Sequence, residues 1–214
     1  MRLIMLSPPG AGKGTHSEQL SQATGIAHIS SGDLLRAEID RGTDLGLRLS
    51  EYTTRGDLVP DDLIFDILIP VVVEASRDTG GYVLDGFPRT MPQALRAAQI
   101  GIELDLVSDA AIYLTAPDEV LVERLRDRAQ REGRADDTPE VIRHRLAVFA
   151  AQTQPLVDYY RRRGILLELD TDRPQDDVQA DLRARLAARG VPESRAQSAS
   201  SASLSRARHA AEDS

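Results

Sequence analysis

Lys13 is the only lysine among the 26 basic residues of this 214-residue chain, and it lies within Pro8-Pro9-Gly10-Ala11-Gly12-Lys13-Gly14-Thr15. Glycines and prolines at that density deny the stretch a strand or a helix interior. Ahead of it, Leu3 to Leu6 is an unbroken apolar run, the mark of a parallel strand buried on both faces; behind it, from Thr15, the residues suit a helix. A glycine-rich loop entering a helix aims several N–H groups, and the positive end of the helix dipole, at one point, which suits a phosphate. Lys13 adds a compact, rotatable ammonium where the wide fork of a guanidinium would not fit, and Thr15 a hydroxyl for a metal ion. The strict pattern G-x-x-x-x-G-K-[ST] fails at Ser7, which takes the first glycine position, and at Gly14, which takes the hydroxyl position. A plain strand–turn–helix connection is therefore the alternative.

A second acid–base feature is Asp85, at the end of the apolar run Tyr82-Val83-Leu84 and ahead of Gly86-Phe87-Pro88-Arg89. The carboxyl ends of strands in open α/β sheets are where ligands bind, and an acid there can hold magnesium through water. Taken alone it is an ordinary Asp-Gly turn. Arg36 falls on the first turn of a helix capped by Ser30-Ser31-Gly32-Asp33, and is otherwise a solvated surface arginine. Arg124 and Arg128 stand four apart on one helical face, where like charges repel by about 0.2–0.5 kcal/mol. Such a face either awaits a polyanion or is neutralised by Glu123 and Asp127. Arg143 and Arg145, two apart, face different ways, so only one can address a given site.

Composition bounds the options. Hydrophobic content of 41% and charged content of 28% fit a globular chain, and the length suffices for a real core. A net charge of −8 argues against a nucleic-acid partner, and the lack of cysteine excludes a disulfide framework and a cysteine zinc site. The N-terminal apolar run is too short for a signal peptide or a membrane span, so the expected address is the cytoplasm and no membrane is expected as a partner.

The elements that must position these residues follow from punctuation and periodicity. Strands are expected at 2–6, 26–29, 82–85, 110–114 and 165–169, with helices between them, and β-α alternation implies a parallel sheet covered on both faces. Residues 37–59 read as helical pieces broken at Gly42 and Gly56. Asp61 should cap an apolar helix from Leu63 to about Ala75 that Pro70 kinks, and Gly101 should end a helix that starts at Met91. A helix from Asp118 to about Asp127 gives way to Asp127–Asp137, a polar loop with nothing to bury; Thr138 and Pro139 restart a helix as N-cap and first position. Arg161 to Arg163 suit a helix C-terminus. Past Gly190 the Ser/Ala/Arg-rich sequence reads as a disordered tail, 190–214.

PPGAGKGT at 8–15, SSGDLLR at 30–36, GDLVPDDL at 56–63, LDGFPRTMPQA at 84–94 and GRADDTPEVIRHRL at 133–146 together resemble adenylate kinase in its short-lid form, over residues 1 to about 188. The resemblance implies an α/β P-loop three-layer sandwich with a five-stranded parallel sheet, a helical AMP-binding insert and a short lid insert. The core would be 1–29, 60–126 and 138–189, the AMP insert 30–59 and the lid 127–137. It implies Mg-ATP + AMP ⇌ 2 ADP, by a monomer with no protein zinc site. ATP would be held by Gly10, Ala11, Gly12, Lys13, Gly14 and Thr15, by Arg124 and Arg128, and at its adenine by backbone near Arg173. AMP would be held by Ser31, Arg36, the backbone of Asp57, Leu58 and Val59, by Gly86, Phe87, Pro88 and Arg89, and by Gln93. Arg134 and Arg145 would close over the transferring group, so the catalytic set is Lys13, Arg89, Arg128, Arg134 and Arg145, with magnesium held through Thr15 and Asp85. Phe87-Pro88 would be a cis peptide, and Asp136 and Asp137 would orient Arg134 and Arg128 or cap the next helix.

Phosphoryl transfer asks the protein for alignment and charge cancellation rather than covalent help, and these cations can supply both. Two departures from the family pattern stand out. Ser7 replaces a usual glycine; if its φ were positive, serine would be strained there by about 1–2 kcal/mol and Ser7→Gly would equal or exceed the parent kcat. Asp57 replaces a usual lysine. Ser31 keeps the hydroxyl of an adenine reader, which with Gln93 favours AMP over a pyrimidine monophosphate as acceptor. Two alternatives stay open: a kinase for another nucleoside monophosphate, and a nucleotide-binding protein whose turnover Ser7 weakens.

Overall fold

The computed structural model describes residues 1–132 and 138–191, and side chains at all of these except 128–132. Five parallel strands, β1 (Arg2–Leu6), β2 (Ala27–Ser30), β3 (Tyr82–Asp85), β4 (Ala110–Thr115) and β5 (Leu166–Asp170), form one sheet in the order β2-β3-β1-β4-β5. All five residues of β1 are buried, because β3 and β4 flank it in register, with Leu3 opposite both Val83 and Ala110. Successive side chains of a strand point to opposite faces, and the core divides accordingly. Leu3 and Met5 pack with Leu20, Leu121, Leu182 and Leu186 of α1 (Lys13–Thr24), α6 (Asp118–Glu132) and α9 (Gln175–Ala188). Ile4 and Leu6 pack with Ala94, Leu156 and Tyr160 of α5 (Met91–Glu103) and α8 (Gln154–Arg162). The result is the expected three-layer α/β sandwich.

A third apolar cluster joins Ile29 and Leu84 of the sheet to Phe65 and Leu68 of α4 (Asp61–Thr79), and to Leu35 and Leu49 of α2 (Ser31–Asp40) and α3 (Asp44–Arg55). It seats the helical pair that follows β2. Ser30 and Thr43 start that pair as N-caps, their hydroxyls accepting from the N–H groups of Asp33 and Gly46, and Gly56 ends it at φ 78°. After the described gap, α7 (Pro139–Val148) begins with Thr138 accepting from Val141 N–H, and a single π-helical turn at Phe149–Thr153 leads into α8.

Three expectations about elements are corrected. Helix α4 starts at Asp61 itself and runs through Pro70 to Thr79. Pro70 and Asp66 both lie on the solvent side, so the Asp66 carbonyl that loses its N–H partner faces water. Gly101 lies within α5 rather than ending it; its missing side chain admits the Leu106 backbone, whose carbonyl oxygen a methyl there would meet at 3.3 Å. Helix α6 continues through Glu132, into the stretch expected to be loop. Residues 133–137, which hold Arg134, Asp136 and Asp137, and 192–214, most of the expected tail, lie outside the described residues.

The connection after β1 runs to β2 on one side, and that after β4 runs to β5 on the other. The carboxyl ends of β1 and β4 therefore open a crevice between them, the place where open α/β sheets take ligands.

Candidate active site

The loop from Ser7 to Gly12 leaves the buried β1 and turns into α1 with Gly10 at φ 92° and Gly12 at φ 78°. A Cβ on Gly10 would lie 2.6 Å from the Leu121 carbonyl oxygen, so close approach to α6 and left-handed backbone both require glycine. Gly12 caps α1 without a side chain, and no acid stands in the first turn. The first N–H groups of α1 thus face the cleft with the positive dipole end behind them. Ser7 is buried, but its φ is not positive, since Asp105 is the only non-glycine with positive φ among the described residues. The expected strain at Ser7 is absent, and with it the reason to assign that residue a damaged turnover.

Above the loop opens a cleft of about 860 Å³, lined by Gly10, Gly12, Lys13, Gly14, Thr15, Arg36, Asp85, Arg89, Arg124, Arg145 and Arg173. Asp85, 5% exposed at the end of β3, contacts the Lys13 ammonium directly. His28 of β2 stands behind them, its Nε2 3.6 Å from Asp85 Oδ2, too far for a hydrogen bond. Burial lowers the His28 pKa, and Lys13 lowers it further against the opposing pull of Asp33 and Glu18. Thr15 and Asp85 line the same cleft, and hydroxyl plus carboxylate is a hard-oxygen donor set that suits magnesium.

A side pocket of about 190 Å³ opens off this cleft, sharing Arg36, Leu58, Gly86, Arg89 and Arg145 with it and adding Ser31, Asp57, Val59, Phe87 and Gln93. Ser31 Oγ is sealed from solvent with no partner among the described residues. Gly86, at φ 82°, lets it come close, because a Cβ there would sit 2.5 Å from that hydroxyl. Phe87-Pro88 is cis, as expected. The loop is braced from three directions: Arg89 Nε donates to Gly86 O at 2.7 Å, Arg89 N–H to Gln93 Oε1 at 2.8 Å, and Thr153 Oγ1 to Arg89 O at 2.9 Å. The Gln93 amide also donates to Asp61 Oδ1 at 2.8 Å, so the residue expected to read a base is held by both ends.

Arg89 is a strongly perturbed cation. Removal from bulk water lowers its pKa to about 10, and the positive charges of Arg145 and Arg36 act in the same direction. Its side chain remains open to the water of the cleft, so screening reduces the energetic consequence. Arg36 pairs with Asp33 at 2.5 Å, both partly exposed. Arg145 faces the cleft whereas Arg143 turns outward to Glu140 at 3.0 Å, as their spacing requires. Arg124 reaches across to Thr171 O at 2.8 Å, and Arg173 is tied to Asp181 at 2.6 Å. Ala11 is wholly buried and offers only backbone. The side chain of Arg128, and Arg134 entirely, lie outside the described residues.

Residue choice alone did not reveal three participants in this architecture. His144 of α7 meets Asp57 at 2.8 Å, and Arg55 meets the same carboxylate at 3.0 Å, joining α7 to the turn after α3. His16, directly behind Thr15, is buried against Gln179 of α9. His28 lies two residues ahead of Ser30, on a strand whose end enters the cleft. A histidine next to a phosphate loop or two residues before the next strand's end was the available signal for His16 and His28. An apolar cavity of about 90 Å³ between α4, α5 and the sheet, lined by residues such as Phe65, Leu68 and Val72, has no use for a phosphate.

The family model described as adenylate kinase matches residues 5–165. A curated protein named adenylate kinase from Stenotrophomonas maltophilia (strain R551-3) is 41% identical over 186 residues, 87% of this chain and 99% of that protein. One of the same name from Leptospira biflexa (strain Patoc 1 / Ames) is 44% identical over 169 residues, 79% of this chain and 90% of its own. A third, from Nitrobacter winogradskyi, is 42% identical over 201 residues, 91% and 97% of the two chains. The phosphate loop, the cationic cleft and these matches agree: the chain belongs to the adenylate kinase family.

Proposed function

We propose that the enzyme transfers the terminal phosphoryl group of Mg-ATP to AMP, reversibly, giving two ADP. The observation that carries this is the pair of connected pockets, one at an uncapped glycine-rich helix start with Lys13, the other under a sealed Ser31 hydroxyl with no partner among the described residues, with Arg36, Arg89 and Arg145 lining both. In a chain of net charge −8, cations gathered at one cleft call for a polyanion.

Gly10 to Thr15 and Arg124 hold ATP, and backbone at Arg173 flanks its base. Ser31 and Gln93 read the AMP base, Asp57 to Val59 and Gly86 to Pro88 wall it, and Arg36 and Arg89 take its phosphate. The nucleophile is an AMP phosphate oxygen, already anionic, so no general base is needed; the P–O bond to ADP breaks as the new one forms. Lys13, Arg89 and Arg145 cancel the charge on the transferring group, and guanidinium forks suit its oxygens. Arg128 and Arg134 of the lid 127–137 belong to the same set by family pattern. Thr15 and Asp85 would hold magnesium, which would supply charge neutralisation on the ATP phosphates. The helical segment 30–59 acts as the AMP insert on a core of 1–29, 60–126 and 138–189, and closure of insert and lid keeps water from taking the phosphoryl group. A monomer acting in the cytoplasm completes the proposal.

A coupled assay with Mg-ATP and a panel of monophosphates tests it. AMP should be the fastest acceptor, because Ser31 together with Gln93 resembles the adenine readers of the family, and a base that accepts from the Ser31 hydroxyl recovers its removal from water. Faster phosphorylation of UMP or CMP would transfer the proposal to another nucleoside monophosphate kinase.

A further inference from the structure

His16 is 3% exposed, and its imidazole has a defined proton arrangement. The Gln179 side chain places its Nε2 3.0 Å from the His16 backbone oxygen and 3.0 Å from His16 Nδ1. A carbonyl only accepts, so the Gln179 atom there must be the amide nitrogen. That nitrogen only donates, so Nδ1 must accept, and the ring proton of a neutral imidazole resides on Nε2. A ring whose Nδ1 accepts carries a single proton, so this contact by itself defines the neutral form. The Nε2–H has no partner among the described residues, yet it is absent from the sealed, unpaired polar atoms and the residue lines the cleft. The same edge of the ring lies beside the phosphate loop, since a Cβ on Gly12 would be 3.4 Å from Cδ2 and 3.6 Å from Nε2.

His16 thus presents one fixed donor, next to the loop, on the side of the cleft formed with Arg124, Thr171 and Arg173 and away from the pocket of Ser31 and Gln93. We propose that His16 is a donor-nucleotide contact, its Nε2–H donating to an oxygen at the α-phosphoryl–ribose end of ATP, with Gln179 as the positioning residue that fixes the tautomer. The assignment rests on ATP occupying the Lys13 loop.

Steady-state kinetics of three forms separates this contact from a merely structural His16–Gln179 tie. Asparagine matches the Nδ1 position and lacks the Nε2 donor; glutamine matches the Nε2 position. His16→Asn should raise the KM for ATP about 3- to 10-fold, the equilibrium equivalent of one neutral hydrogen bond, while the KM for AMP moves less than twofold. His16→Gln should bring the ATP value back to within about twofold of the parent. An unchanged KM for ATP in His16→Asn, an equal rise for both substrates, or no recovery in His16→Gln would overturn the proposal. Should the asparagine variant not fold, the parent protein with ¹⁵N-labelled histidine decides: Mg-ATP should shift the His16 Nε2–H resonance and AMP should not, and no shift with Mg-ATP overturns it. Failure of the underlying site assignment appears separately, as full turnover in Lys13→Met.

Discussion

The ammonium of Lys13 and the carboxylate of Asp85 are in direct contact at the floor of the cleft. One is assigned to the ATP phosphates and the other to magnesium, so in the free protein they neutralise each other. On the proposed function, a bound metal–nucleotide complex would exchange this internal pair for two external ones, Lys13 with phosphate and Asp85 with the cation. Asp85→Asn should therefore remove this carboxylate's charge from beside Lys13 and from the proposed magnesium site. Turnover should fall by at least about 100-fold, and the magnesium concentration for half-maximal rate should rise. A variant with the parent's magnesium dependence would remove Asp85 from the metal.

Arg89 carries charge in a place that lowers its pKa to about 10, from 12.5. Below about pH 10 the folded state bears the full cost of that cation; the cost is relieved as pH rises from there toward 12.5, because the unfolded chain then binds more protons than the folded one. The guanidinium is open to cleft water, so the cost is discounted. Arg89→Met should hold or slightly raise the melting temperature at pH 7 while lowering kcat by about 10²–10³-fold. A marked fall in melting temperature would show that Arg89 is structural.

Ser7 lies outside the left-handed region. Glycine there relieves nothing and adds freedom to the unfolded chain, so Ser7→Gly should keep kcat within about twofold and lose up to about 1 kcal/mol of stability. A severalfold gain in kcat, measured beside a denaturant titration, would restore the strain that the backbone lacks.

The Asp57 carboxyl is held below its usual range first by the hydrogen bond from His144, then by Arg55. A depressed carboxyl stabilises above its unfolded pKa, and loses that contribution as pH falls through the folded value, on the acid side of pH 4. The pair is exposed, and such pairs are weak. Asp57→Asn should therefore shift the melting temperature by only a few degrees at neutral pH, and the difference should vanish both in strong acid and in 1 M salt. A large, salt-independent shift would mean that the link between the turn after α3 and α7 is more than electrostatic.

Much of this was legible in one dimension. The order of strands and helices, the loop around Lys13, the acid ending β3 and the divergence of Arg143 from Arg145 all follow from spacing and punctuation. What was hidden depends on partners far away in the chain. Asp57 and His144 are 87 residues apart, and Gln93 and Asp61 are 32 apart, so neither link has a local signature. Gly101 read as a breaker, because propensity sees the backbone alone; the close Leu106 backbone beside α5 overrules it. His16 looked like one more helix residue until Gln179, 163 positions later, fixed its ring.

The most direct measurement is ADP formation from Mg-ATP and AMP by the parent and by Lys13→Met, read together with the change in melting temperature on adding diadenosine pentaphosphate. The parent should produce two ADP per ATP consumed and gain several degrees with the bisubstrate compound; the variant should fold and lose at least about 10³-fold in rate. Equal rates in the two proteins, or a parent melting temperature that the bisubstrate compound does not move, would contradict a phosphoryl transfer centred on Lys13.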